Sequence, residues 1–131
     1  MKKFFRFLVL LLFIGVLVGA CKDEEYIDPA ESLSPIVDVT LPEVGYVNQE
    51  INFIVSHAVF NGCGFYSSRK TIMAGNSLVV TFYAKYRDGI CTMDIPIRKT
   101  NYQFMPKRKG TYTFKFNKGD NTFLTKEIII I

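Results

Sequence analysis

Tryptophan is absent from this 131-residue chain, histidine occurs once and cysteine three times. A single histidine, His57, removes most acid–base schemes from consideration. With Cys63 and Cys91 it makes three plausible metal ligands where a structural zinc site takes four. A reactive thiol in Asn61-Gly62-Cys63-Gly64 would need a positioned base, and His57 alone, six residues upstream, is thin support. Ser67 and Ser68 can be written into a triad with His57 and Asp88, but neither sits in a nucleophile elbow or beside a glycine-rich oxyanion loop. The carboxylates Asp38, Glu43, Glu50, Asp88, Asp94, Asp120 and Glu127 are scattered singly, so no pair suggests glycosidic cleavage. The residues point to a protein that is not an enzyme and that takes no cofactor and no metal. After Pro35 no window of a dozen residues sustains a helical stripe, which excludes a helical fold.

What is present begins with an apolar run, Phe4 to Ala20, only 17 residues long. Lys2, Lys3 and Arg6 make its start positive, Phe7 to Val18 is uncharged, Gly19 and Ala20 end it, and Lys22, Asp23, Glu24 and Glu25 follow at once. That is the pattern of a cleaved signal peptide over residues 1–20, at the lower limit of what spans a bilayer. Leu17 to Cys21 reads LVGAC. It resembles the lipobox of bacterial lipoproteins, which implies a diacylglyceryl group on Cys21 and attachment to a membrane through acyl chains. Each buried methylene contributes about 0.8 kcal/mol, so two or three chains hold a small domain persistently. Lys22, Asp23, Glu24 and Glu25 resemble the export signal of surface lipoproteins of Bacteroidota, which implies an outer-membrane protein, lipid-anchored and facing the cell exterior.

Residues 21–34 then read as the lipidated cysteine and an acidic tether, and 35–131 as one domain. From Ser32 onward 12 basic and 7 acidic side chains leave a mild positive balance. It is too weak to argue for nucleic acid, and acidic glycans or lipid head groups are the better-suited charged neighbours.

Period-two alternation and turn residues predict seven strands: 36–41, 50–60, 65–72, 78–86, 90–97, 111–117 and 122–131. The expected inward residues include Val37, Val39 and Leu41; Ile51, Phe53 and Val55; Val80, Phe82 and Ala84; and Tyr112, Phe114 and Phe116. Arg87-Asp88-Gly89 is expected to turn a hairpin, and Tyr102, Phe104 and Pro106 to lie in a connection. Seven short strands point to an all-β, antiparallel sandwich. Gly110-Thr111-Tyr112-Thr113-Phe114 resembles the sixth strand of immunoglobulin-like domains, which implies that fold with Tyr112 as its corner tyrosine. Phe114 stands where antibody domains have a cysteine and tryptophan is missing, so the antibody-type branch is excluded.

With Cys21 acylated, Cys63 and Cys91 remain an even pair, and an up-and-down trace places both at one end of the sandwich. A disulfide is expected there. Candidate binding residues fall in three groups. Asn61, Arg87, Asp88, Lys118 and Asp120 lie on turns expected to converge at the cysteine end. Lys107, Arg108 and Lys109 form a basic turn at the opposite end. Tyr66, Tyr83 and Tyr86 are candidates for stacking on sugars from a sheet face. The reading is a non-catalytic binding or assembly module for an extracellular glycan or a surface protein, with an enzyme inhibitor or accessory subunit acting through the loop end as the alternative.

Overall fold

The computed structural model describes residues 30–131, so the expected leader, Cys21 and most of the acidic tether lie outside the described residues. Nine strands follow in order: β1 (Ser32–Ser34), β2 (Ile36–Thr40), β3 (Val44–Gly45), β4 (Ile51–Ala58), β5 (Gly64–Ala74), β6 (Ser77–Tyr86), β7 (Ile97–Phe104), β8 (Gly110–Gly119) and β9 (Thr122–Ile130). They form two sheets. β2, β4 and β7 make the smaller one, all antiparallel. In the larger, β6 is the hub: β5 pairs along one edge, while the other edge is shared by β1 and β8. β9 follows β8, and β3 closes that side.

The alternating strands behave as their pattern requires. Phe53 and Val55 from the small sheet meet Val80, Phe82, Phe114, Phe116 and Ile128 from the large one, all fully buried. Aromatic rings fill the centre: Phe53 lies 5.0 Å from Phe114, edge to face, and Phe104 lies 5.1 Å from Phe114. Such pairs add about 0.5–1.5 kcal/mol each beyond the area they bury. The apolar strand β9 is covered on both edges, by β8 on one side and by Val44–Gly45 on the other. The turn before it is built from Asp120 and Asn121, both at positive φ, the geometry a two-residue hairpin loop demands.

Several expectations are corrected. Nine strands stand where seven were expected, and two pairings, β3 with β9 and β6 with β8, are parallel. Ser32–Ser34 belongs to the large sheet and not to the tether; Ser34 is fully buried and donates its hydroxyl to Ala58 O. Val37 faces solvent because the register slips between Ile36 and Asp38, a bulge that reverses the face of the residues after it. Residues 90–96 are loop and not a strand, with Pro96 supplying no N–H and the Cys91 cross-link holding the segment outside the sheets. Arg87-Asp88-Gly89 therefore does not close a hairpin. The strand expected at 90–97 is found instead at Ile97–Phe104, where Arg98 and Thr100 occupy half-buried positions and so hide the apolar alternation of Tyr102 and Phe104.

A second bulge, at Ser67 in β5, has a larger consequence. Tyr66 sits opposite inward-facing Ala84, but beyond the slip it is Arg69 and Thr71 that lie opposite inward-facing Phe82 and Val80. They seal the flank between β5 and β7: the Arg69 guanidinium lies 4.5 Å from the Tyr102 ring centre, and the Thr71 and Tyr102 hydroxyls share a hydrogen bond of 3.1 Å. Glu31 accepts hydrogen bonds from both Ser67 and Ser68, fastening the segment before β1 across the sheet.

Candidate functional site

The two ends of the sandwich are built differently. At the loop end, Cys63 and Cys91 form a disulfide with Cα atoms 5.3 Å apart. Gly62 N–H donates to Thr92 O and Arg87 N–H to Cys63 O, and Arg98 donates to the Gly62 and Gly64 carbonyls at 3.2 Å each. Asn61 holds its own turn, accepting from Cys63 N–H at 2.9 Å. A Cβ on Gly64 would lie 2.5 Å from Val59 and 2.7 Å from Tyr86, so the chain passes there only as glycine. The 61–64 turn and the 87–96 loop are thus one cross-braced unit.

The sequence candidates divide at this end. Asn61 and Arg87 are brought together in the unit, Arg87 with its guanidinium 4.9 Å from the Phe65 ring, and Asp88 is exposed beside them. Lys118 and Asp120 lie on a separate turn that packs below β1, where a Cβ built on Gly119 falls 3.6 Å from Leu33 and 3.7 Å from Pro35. The large exposed apolar side chains of this end were not singled out from sequence: Phe60, Ile90, Met93, Ile95 and Ile97 are all exposed, Ile90 and Met93 almost completely. They fall within the strands expected at 50–60 and 90–97, where apolar residues carry no mark of exposure.

The three tyrosines do not form a platform. Tyr66 turns inward, with its ring 5.1 Å from Phe82 and 6.0 Å from His57, and burial pushes its hydroxyl above the ordinary tyrosine range despite nearby Arg69. Tyr83 is on the outward side between buried Phe82 and Ala84. Tyr86 stacks on Phe60 at 6.2 Å, and its hydroxyl accepts from Phe60 N–H.

His57 is fully buried between the sheets and is spent on structure. Ser34 donates its hydroxyl proton to Ala58 O at 2.7 Å, so His57 Nδ1–H donates to Ser34 Oγ, and Nε2 accepts from the Thr100 hydroxyl at 2.9 Å. Burial first, and the Arg98 charge second, hold its pKa below the ordinary value, which keeps the imidazole neutral. Among the described residues no three of histidine, cysteine, aspartate or glutamate gather as a metal site would require.

The opposite end carries a shallow groove of about 230 Å³. Phe104 and Tyr112, with ring centres 5.3 Å apart, line it with Met73 and Met105; the Gly75–Asn76 turn bounds one side and Lys107 and Arg108 the other. Tyr112 donates its hydroxyl to Arg108 O at 2.9 Å, four residues upstream, which fixes the basic turn onto the core. The sequence singled out Lys107, Arg108 and Lys109; the first two rim the groove, and Lys109 is exposed beyond it. Met73 was missed because the Ser67 bulge, which turns it this way, leaves no mark in the residue pattern.

Two packed β-sheets, a cross-braced loop end and a groove with no catalytic constellation in it define an all-β sandwich domain. A family model described as the ORF11 beta-sandwich domain matches residues 53–125, more than half of the chain, and the protein belongs to that family. The match runs from β4 into β9, so β1 to β3 lie before it. No curated protein and no solved structure matches the chain.

Proposed function

We propose that this protein is a surface lipoprotein, anchored through acyl chains on Cys21, whose sandwich is a non-catalytic module that binds an extracellular acidic glycan in the groove between β5 and the 105–109 turn. The observation that carries this is the groove itself. It combines an apolar, aromatic lining with a rim of two cations, the combination that suits a sugar ring bearing a carboxylate or sulfate. The Tyr112 hydrogen bond keeps the rim in place before any ligand arrives, which lowers the cost of binding. His57 supports the non-catalytic reading, since its two ring nitrogens are already engaged in the interior.

The sandwich is read further as immunoglobulin-like. Tyr112 bonding backward to Arg108 is the corner-tyrosine arrangement and favours that relationship, while the parallel pairing of β6 with β8 departs from it. The export address rests on residues 22–25.

The test is a carbohydrate array probed with the folded chain, comparing uronate-bearing and sulfated glycans with neutral ones. Retention on the acidic set, lost in Lys107→Gln/Arg108→Gln with the melting transition unchanged, is the expected result. Equal retention of neutral sugars, or retention that survives the double substitution, sinks the reading. The alternative, occlusion of an enzyme through the loop end, draws on the exposed apolar residues there. It would show as a stoichiometric protein complex abolished by Asn61→Ala or Asp88→Ala, with sugars inert.

A further inference from the structure

From the placement of the loop end we infer that Ile90, Met93 and Ile95 dock into the interfacial region of the lipid bilayer that carries the anchor. The inference rests on the reading of Cys21 as acylated. β1 enters the large sheet with Ser32 opposite Ala84, near the loop-end terminus of β6, so the residues that precede it reach the domain on that side. Nine residue steps separate Cys21 from Ala30, and at about 3.3–3.6 Å per residue they cannot reach beyond about 32 Å. Ala30 of an anchored domain therefore stays within about 32 Å of the bilayer, and the loop end lies nearer this attachment than the groove does.

The side chains at that end fit such a neighbour. Ile90 and Met93 project almost wholly into solvent, with Ile95, Ile97 and Phe60 more than half exposed around them. Ile90 and Met93 are left with almost no contact to the rest of the chain, which suits shallow insertion among head groups. The Cys63–Cys91 disulfide and the Val59 N–H to Pro96 O bond hold the loop up, so insertion does not first require ordering it. Asp88 and Asp94 are exposed on the same loop and Arg87 flanks it, which sets the depth: the aliphatic tips enter and the charges stay in water. The contact is apolar in origin, so it persists at high salt and needs no anionic lipid.

Because the chain has no tryptophan, one introduced residue is a unique reporter. The acylated full-length protein, carrying either Met93→Trp or Lys107→Trp, would be reconstituted on phosphatidylcholine vesicles with and without brominated acyl chains. Mass spectrometry verifies the modification of Cys21 in the same samples. The expected result is a blue shift and loss of emission to the brominated chains for Met93→Trp, with Lys107→Trp unaffected; Ile90→Trp repeats the test at a second site. A verified anchor with Met93→Trp and Ile90→Trp showing neither the blue shift nor loss of emission to the brominated chains overturns the inference and leaves the anchor standing. An unmodified Cys21 removes both.

Discussion

The loop end and the groove end of this sandwich are made rigid by opposite means. The first is held covalently and by close backbone approach, through the disulfide, the Arg98 clamp and the Gly64 crossing. The second is held by non-covalent bonds, Tyr112 Oη–H to Arg108 O and Asn48 N–H to Pro106 O. Covalent bracing lets the loop end display apolar side chains without a core beneath them, since the loop need not bury anything to stay ordered. The groove end keeps its apolar rings half sheltered and presents charge. On the functions proposed above, the two ends would meet different neighbours, a bilayer at one and a glycan at the other.

The largest effect is expected at the disulfide. Replacing both Cys63 and Cys91 with alanine should lower unfolding stability by about 3–4 kcal/mol in the chain-entropy model, read from a denaturant midpoint at unchanged slope. A loss below about 1 kcal/mol would mean that the loop end is held by its hydrogen bonds alone. Gly64→Ala comes next. Its Cβ would meet Val59 and Tyr86 far inside contact distance, and overpacking of this kind costs about 1–3 kcal/mol.

His57, nearer the loop end, adds a pH dependence. Its folded pKa lies below its unfolded one, so the unfolded chain takes up a proton first as the pH falls. Stability from this residue is complete above about pH 6.5 and declines below it, with a slope of at most about 1.4 kcal/mol per pH unit. Denaturant midpoints taken between pH 7.5 and 5 should show the decline, and His57→Gln should flatten it.

Tyr112→Phe is the groove-end counterpart, removing one hydrogen bond for about 0.5–1.5 kcal/mol and loosening the 105–109 turn. The smallest effect belongs to Lys107→Gln/Arg108→Gln. Both side chains are exposed, so stability should stay within about 0.5 kcal/mol while glycan retention is lost.

The two ends were also unequally legible in the sequence. Wherever apolar residues alternate without interruption, as in Ile51 to Val55, Val80 to Ala84 and Tyr112 to Phe116, the inward face was read correctly. Reading failed where polar side chains point inward and find partners. Ser34, His57 and Thr100 satisfy one another, Arg98 is consumed by two carbonyls, and so β1 and β7 carried no apolar signature. It failed again at the bulges beside Val37 and Ser67, because a one-residue slip reverses the face without altering composition. The cysteine pair and the basic turn were visible as residues; the groove beside Lys107 was not, since Met73 reaches it only through the slip in β5.

Methionine oxidation tests the division between the ends most directly, because Met93 stands at one and Met73 and Met105 at the other, all exposed. Dilute peroxide would be applied to the acylated protein free in detergent, on phosphatidylcholine vesicles, and on vesicles with an acidic glycan retained by the array. Peptide masses then report each site. The account predicts that vesicles slow oxidation of Met93 alone and that the glycan then slows Met73 and Met105. Protection of Met73 and Met105 by lipid, with Met93 oxidised as fast as in the free protein, would contradict it.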